Sequence, residues 1–208
     1  MSNIFLINTL LFSFLLKIIF SVKLDSNKVN EVLLAQHNKY RKMHDAPELT
    51  LDNELIKLAT DYSAALAFIS DVHTITPSGS KNKNKEKLGE NIFTCTSVIK
   101  PDCYDVTSTK PVDEWYNEIK FYNFSEPGFT IDSSHFSQLV WKETTKMGCG
   151  ASVKDDGLTY KVVCNYYIAG NILSSQKFEE NVLPLNNDNE YIILNYFYIV
   201  LALLYIFY

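Results

Sequence analysis

None of the four cysteines stands three positions from another, so the paired-thiol spacing of a zinc knuckle or a thioredoxin-type redox site is missing. The chain also has no His-Glu-x-x-His run and no serine or cysteine in a recognisable nucleophile elbow, which removes the commonest metalloprotease and hydrolase arrangements. Basic residues are outnumbered, 19 Lys and Arg against 24 Asp and Glu, for a net charge of -5 and a pI near 5.4. Nucleic-acid phosphates need a basic surface that this composition does not supply. No internal repeat and no regular βαβ rhythm is visible, leaving an α+β or three-layer arrangement. The 208 residues, 47% of them apolar, are enough for one sizeable core and short for two.

Long apolar runs stand at both ends. Ile4 to Leu16 has the length of a signal-peptide core, is interrupted by Lys17 and is followed by the small residue Ser21, so residues 1–21 read as a secretory signal rather than an uncleaved anchor. Tyr191 to Tyr208 is almost wholly apolar, broken only by Asn195. After the polar stretch Asn186 to Glu190 it reads either as a GPI-attachment signal or as a short terminal membrane helix. A helix docked on the domain is the third reading, disfavoured because the segment has no polar face. The folded domain is expected over residues 25–185, with spacer and tail over 186–208. The chain is placed in the secretory pathway, outside the cell or on its outer surface.

Between the ends, Asp156-Gly157 is a two-residue turn signal flanked by strand formers, Ala151 to Val153 and Leu158 to Val163. Residues facing across that turn have numbers summing to 313, and Cys149 and Cys164 satisfy the sum. An unbulged ladder sets them about 5.5 Å apart at Cα, within disulfide reach. Of three possible connectivities, the hairpin favours Cys149 with Cys164 and leaves Cys95 with Cys103.

Helical spacing appears in Val29, Val32, Leu33, Gln36, His37 and Tyr40, with Asp25 or Ser26 as cap and an end near Asp45. A second stripe, from Leu55 to Ile69, follows the capping residue Asp52. Thr76 to Lys87, rich in Lys and Asn, reads as a solvated loop rather than a lipid or heparin patch. Asn91 to Cys95 reads as a strand. Pro111 opens a third helix on which Trp115, Glu118, Ile119 and Tyr122 share a face. On that apolar face Glu118 is out of place. The segment from His135 to Trp141 sets a His and a Gln into a run that otherwise reads as core. His73 follows the second helix and Glu90 opens the strand, so two imidazoles and two carboxylates stand ready to converge. Asn123-Phe124-Ser125 is a glycosylation sequon.

The segments His37-Asn38-Lys39-Tyr40-Arg41, Gly89-Glu90-Asn91, Trp115 to Lys120, His135 to Trp141 and Tyr166 to Asn171 together resemble the CAP superfamily of cysteine-rich secretory, antigen 5 and pathogenesis-related 1 proteins, including venom-allergen-like members. Tyr122-Asn123-Phe124, Glu126 to Thr130 and Phe178 to Pro184 look most like its Golgi-associated branch. The resemblance runs from Val29 to Pro184. It implies an α-β-α sandwich with a cleft formed by His73, Glu90, Glu118 and His135. In that family the two histidines can hold zinc or another divalent cation, none of them obligatory. The resemblance further implies a non-enzymatic protein that binds a lipid, a sterol or an extracellular protein partner. The alternative is a zinc-dependent hydrolase with Glu90 or Glu118 as base. Two positions depart from the pattern. Ile168 replaces the usual proline, which leaves the backbone there less constrained, and residue two is Ser where the Golgi-associated branch is myristoylated.

Overall fold

Asp25 starts the first helix by accepting the amides of Asn27 (3.0 Å) and Lys28 (3.2 Å) on its carboxylate. In the computed structural model the described residues are 24–67, 78–96, 106–154 and 158–186. The expectations for residues 1–21, His73, Cys103, the Asp156-Gly157 turn and residues 187–208 lie outside them. Among the described residues no helix is long and apolar enough to cross a membrane.

Helix α1 (Ser26–Met43) buries Val29, Leu33, His37 and Arg41, one position per turn along a single stripe. Strand β1 (Thr50–Leu51) leads into α2 (Asn53–Ala67), capped by Asp52 through the amides of Glu54 and Leu55. The Lys/Asn-rich loop is described from Ser78 and is exposed, closed by a bridge between Lys81 and Lys87. Strand β2 (Gly89–Thr96) precedes α3 (Lys110–Asn117), which has Pro111 in its first turn. The third helix differs from expectation. It stops being α-helical at Asn117 and tightens into a 3-10 turn over Glu118–Phe121. A second 3-10 turn (Ile131–Ser133) leads into α4 (Ser134–Val140), then β3 (Lys146–Val153), β4 (Thr159–Tyr167) and α5 (Ser175–Asn181).

The four strands form one sheet in the order β1-β3-β4-β2, with β1 parallel to β3 and the other pairs antiparallel. Every β3–β4 partner sums to 313, from Lys146 with Tyr167 to Val153 with Tyr160, as the hairpin reading requires. Cys149 and Cys164 are disulfide-bonded with Cα atoms 4.1 Å apart, closer than the expected 5.5 Å. The reason is the pair type. Both backbone groups of Cys149 turn away from β4 onto the buried Asn30 side chain, which accepts from Cys149 N at 2.8 Å and donates to its carbonyl at 2.9 Å. The cysteines therefore form the narrow, non-hydrogen-bonded kind of pair. Cys95 is also disulfide-bonded.

Helix α2 covers one face of the sheet. At Gly148 it approaches so closely that a Cβ would overlap the Ile56 nitrogen. The opposite face carries Tyr166, Cys164, Val162 and Met147 against α1, α3 and α4, with Trp141 and Phe136 fully buried. Helix–sheet–helix layering follows, the α-β-α sandwich of the sequence reading. Arg41 ties the second face together. Fully buried, it donates to the carbonyls of Pro47 (2.8 Å), Leu139 (2.9 Å), Trp141 (2.9 Å) and Thr144 (2.8 Å). Burial lowers its pKa to about 10, so it stays charged at neutral pH. At Ile168, which stands where the family pattern has proline, Thr144 Oγ1 donates to the carbonyl at 2.8 Å.

Candidate functional site

Ser133 gives α4 no side-chain cap, so the first amides of this helix need another acceptor. Glu118 provides it from the 3-10 turn after α3. Its Oε2 accepts from His135 N at 2.9 Å and Phe136 N at 3.2 Å, where a negative charge is favoured. Its Oε1 lies 2.6 Å from His135 Nδ1. A carboxylate only accepts, so Nδ1 carries the proton, and in the neutral ring Nε2 is left as the acceptor nitrogen. The imidazole stacks on Trp115 with ring centroids 6.2 Å apart, and Asn91 Nδ2 donates to the His135 carbonyl at 3.1 Å. Three elements thus fix one half-exposed ring.

Glu118 and His135 stand in a groove of about 580 Å³ between β2 and α3. The segment Ile92–Thr96 lines one side, and Lys110, Glu114 and Trp115 line the other. Glu90 is elsewhere. Strand alternation turns it with its partner Asn165 toward the α2 face, where Ser78 donates to it through N (2.7 Å) and Oγ (2.5 Å). Burial raises its pKa above the usual carboxylate range, and the two Ser78 hydrogen bonds oppose the rise. Of the four residues read from the sequence, Glu118 and His135 are joined, Glu90 is bonded to Ser78 instead, and His73 lies outside the described residues. Among the described residues no three His, Cys, Asp or Glu side chains gather as a metal site.

The site also depends on residues that the sequence reading did not assign to it. Trp115 carries the His135 ring, and its place on the Glu118 face of a helix was the available signal. Asn91 gave no signal beyond its place next to Glu90, and Ser78, 12 positions from Glu90, gave none. Behind His135, Gln138 accepts from Gly170 N at 2.9 Å and donates to Thr144 Oγ1 at 3.2 Å. Its amide lies where a Cβ on Gly89 would stand, so Gly89 must be glycine for the strand to pass. Ser137 donates to Asn171 Oδ1 at 2.6 Å, and Asn171 donates to the Ser134 carbonyl at 2.8 Å. The segments from His135 and from Tyr166 are thereby knotted to the start of β2.

Such a knot, a stapled hairpin and a Glu–His pair beside a sheet edge define an α-β-α sandwich with a lateral cleft. The profile of the cysteine-rich secretory protein (CAP) family matches residues 34–166, and the chain belongs to that family. It is 43% identical over 155 residues to the human Golgi-associated plant pathogenesis-related protein 1, covering 74% of this chain and 92% of that one. Among solved structures, BmVAL-1 superposes with a TM-score of 0.58 at 21% identity, covering 73% of this chain and 82% of that one. NaASP2 with Zn2+ gives 0.54 at 21% identity, covering 76% and 88%. At such identities the two structures speak for the fold.

Proposed function

We propose that this chain is a non-enzymatic CAP domain of the secretory pathway, secreted or held at the outer cell surface, that binds a lipid, a sterol or a protein partner. Its cleft is proposed to hold zinc or another divalent cation through His73 and His135. One observation carries the reading: Glu118 spends both oxygens on positioning, Oε2 on two amides of α4 and Oε1 on the His135 ring. A carboxylate so engaged orients a ligand and is poorly placed to take a proton from water. The donor chemistry fits a divalent cation, because a carboxylate on Nδ1 leaves the lone pair of Nε2 for a ligand bond. When bound, the cation would supply charge to attract an anionic headgroup or carboxylate. NaASP2, a structural relative, was solved with Zn2+.

The hydrolase alternative has one observation behind it, the raised pKa of Glu90, which suits a general base. Against it, both Glu90 oxygens are taken by Ser78. Calorimetric titration of the full chain with zinc tests the cation site: His73→Ala with His135→Ala is expected to abolish binding while leaving the circular dichroism spectrum unchanged. Equal affinity in wild type and double variant refutes the assignment. Extraction of labelled sterol from vesicles, with no release of product from ester or peptide substrates, is the expected functional profile.

A further inference from the structure

We propose that Asn123 carries an N-linked glycan, and that the glycan covers the apolar surface left open beside it by Phe121 and Ile131. The proposal rests on the secretory-pathway reading above, because the sugar is transferred in that compartment. Asn123 is the chain's one asparagine with Ser or Thr two positions on. A sequon is a short motif, and burial can make it useless. Here the fold presents it. Tyr122 is buried, and Phe124 packs edge-on against Tyr122 (4.8 Å between ring centroids) and Phe136 (6.3 Å). Asn123 and Ser125, which alternate with them, are exposed. The two aromatic residues thus anchor the segment to the core, while both polar residues of the sequon stand in solvent.

The local backbone is a turn. Glu126 N donates to the Asn123 carbonyl at 3.2 Å, and Asn123 Oδ1 accepts from Ser125 N at 3.0 Å. Nδ2, the atom that takes the sugar, makes one long hydrogen bond, to Glu126 Oε2 at 3.4 Å, and this uses one of its two hydrogens. In the transfer a bond forms between Nδ2 and the anomeric carbon of an oligosaccharide carried on a lipid pyrophosphate. The bond from that carbon to the pyrophosphate oxygen breaks, its electron pair leaves with the lipid pyrophosphate, and Nδ2 gives up one proton. Oδ1 is untouched, so the turn survives. The disulfides of Cys149 with Cys164 and of Cys95 belong to the same oxidising compartment. The surroundings give the glycan its role. Phe121, two residues before Asn123 and so within about 7 Å of it, is 56% exposed, although Lys120 Nζ lies 4.8 Å from its ring centroid. Ile131, 81% exposed, opens the second 3-10 turn, which packs against the one that ends at Phe121. Neighbouring exposed apolar groups invite association, and a bulky, hydrated sugar beside them opposes it.

The test expresses the full chain in cultured eukaryotic cells and measures the mass of the mature protein before and after digestion with a peptide N-glycosidase in heavy-oxygen water. Expected are the loss of one sugar chain and one heavy oxygen on the aspartate left at position 123. Ser125→Ala keeps Asn123 and its turn, to which Ser125 gives its backbone nitrogen, and is expected to lack the glycan; Ser125→Thr keeps it. The same variants read the covering. Ser125→Ala binds an apolar fluorescent dye about twofold or more above wild type, and adding Phe121→Ser with Ile131→Ser removes the difference. The mass measurement on wild type stands whether or not the variants fold. A chain that is secreted or held at the surface without the mass difference overturns the glycan and leaves the secretory reading standing. A chain retained in the cytosol with reduced cysteines and no sugar overturns both. Equal dye binding in wild type and Ser125→Ala overturns the covering.

Discussion

Acid should weaken this domain through His37 before its carboxylates are involved. The ring is fully buried, with Nδ1 2.7 Å from the Leu33 carbonyl and Nε2 2.8 Å from the Tyr166 hydroxyl. A carbonyl only accepts, so Nδ1 donates to Leu33 and Nε2 accepts from Tyr166, an arrangement complete only for the neutral ring. Burial lowers the pKa from 6.5 to about 4, and the nearby Arg41 charge pushes the same way against the Leu33 bond. The folded value is depressed, so the unfolded chain binds the proton first as pH falls. The stabilisation is complete above 6.5 and is lost progressively down to about 4. At 1.36 kcal/mol per pH unit per proton this amounts to about 3 kcal/mol in all, and about 2 kcal/mol between pH 7 and 5. A domain stable by about 5–15 kcal/mol will register it. His44, buried and bonded in the same way to Leu183 O (2.6 Å) and Tyr116 OH (3.0 Å), is also lowered and steepens the loss. Glu90 works oppositely, since its raised pKa favours the folded state at acid pH. Urea unfolding followed by fluorescence of the two buried tryptophans, Trp115 and Trp141, measures the slope between pH 7 and 5. His37→Gln is expected to be less stable at pH 7 and to lose close to one proton from the slope. A wild-type stability flat over this range, or an unchanged slope in the variant, refutes the reasoning.

Arg41→Met strips four carbonyls of their donor and should cost about 4 kcal/mol in the urea midpoint analysis at pH 7. Glu118→Gln keeps the shape but removes the charge at the start of α4. It should cost about 1 kcal/mol of stability and lower zinc affinity about 10- to 100-fold by calorimetry, the second effect separating positioning from mere folding. Replacing Cys149 and Cys164 together by serine opens a loop with a sequence separation of 15 and should cost about 3 kcal/mol, read as a lowered Tm under non-reducing conditions.

What could be read from the sequence was what depends on local spacing. The Asp25 and Asp52 caps, the buried stripe of α1 and the sum of 313 across the hairpin each need only residues close in sequence, and each appears in the structure. The narrow Cys149–Cys164 pair could not be anticipated, because it depends on Asn30, 119 positions away, turning the Cys149 backbone outward. The third helix was misread for a different reason. Trp115 and Glu118 are three positions apart and share a face in a 3-10 turn as well as in an α-helix, and it is from the tighter turn that Glu118 caps α4. Glu90 shows the limit of grouping residues by chemical type. Its strand parity, opposite to that of Asn91, directs its carboxylate to Ser78.

The segment from His135 to Trp141 serves the fold more than it serves chemistry. Ser137 is spent on Asn171, Gln138 on Gly170 and Thr144, and the carbonyls of Leu139 and Trp141 on Arg41. Each of these interactions is internal, and removing one partner leaves a buried polar group without water or protein to replace it. His135 is the exception in the segment: its ring is partly exposed beside a groove, its Nδ1 is held by Glu118, and its Nε2 has no hydrogen-bond partner among the described residues. Along that groove stand Ile92–Thr96, Lys110 and Glu114, none of which takes part in the knot. Substitutions along the groove can therefore change its chemistry without loosening the knot, with His135 as the fixed point beside them.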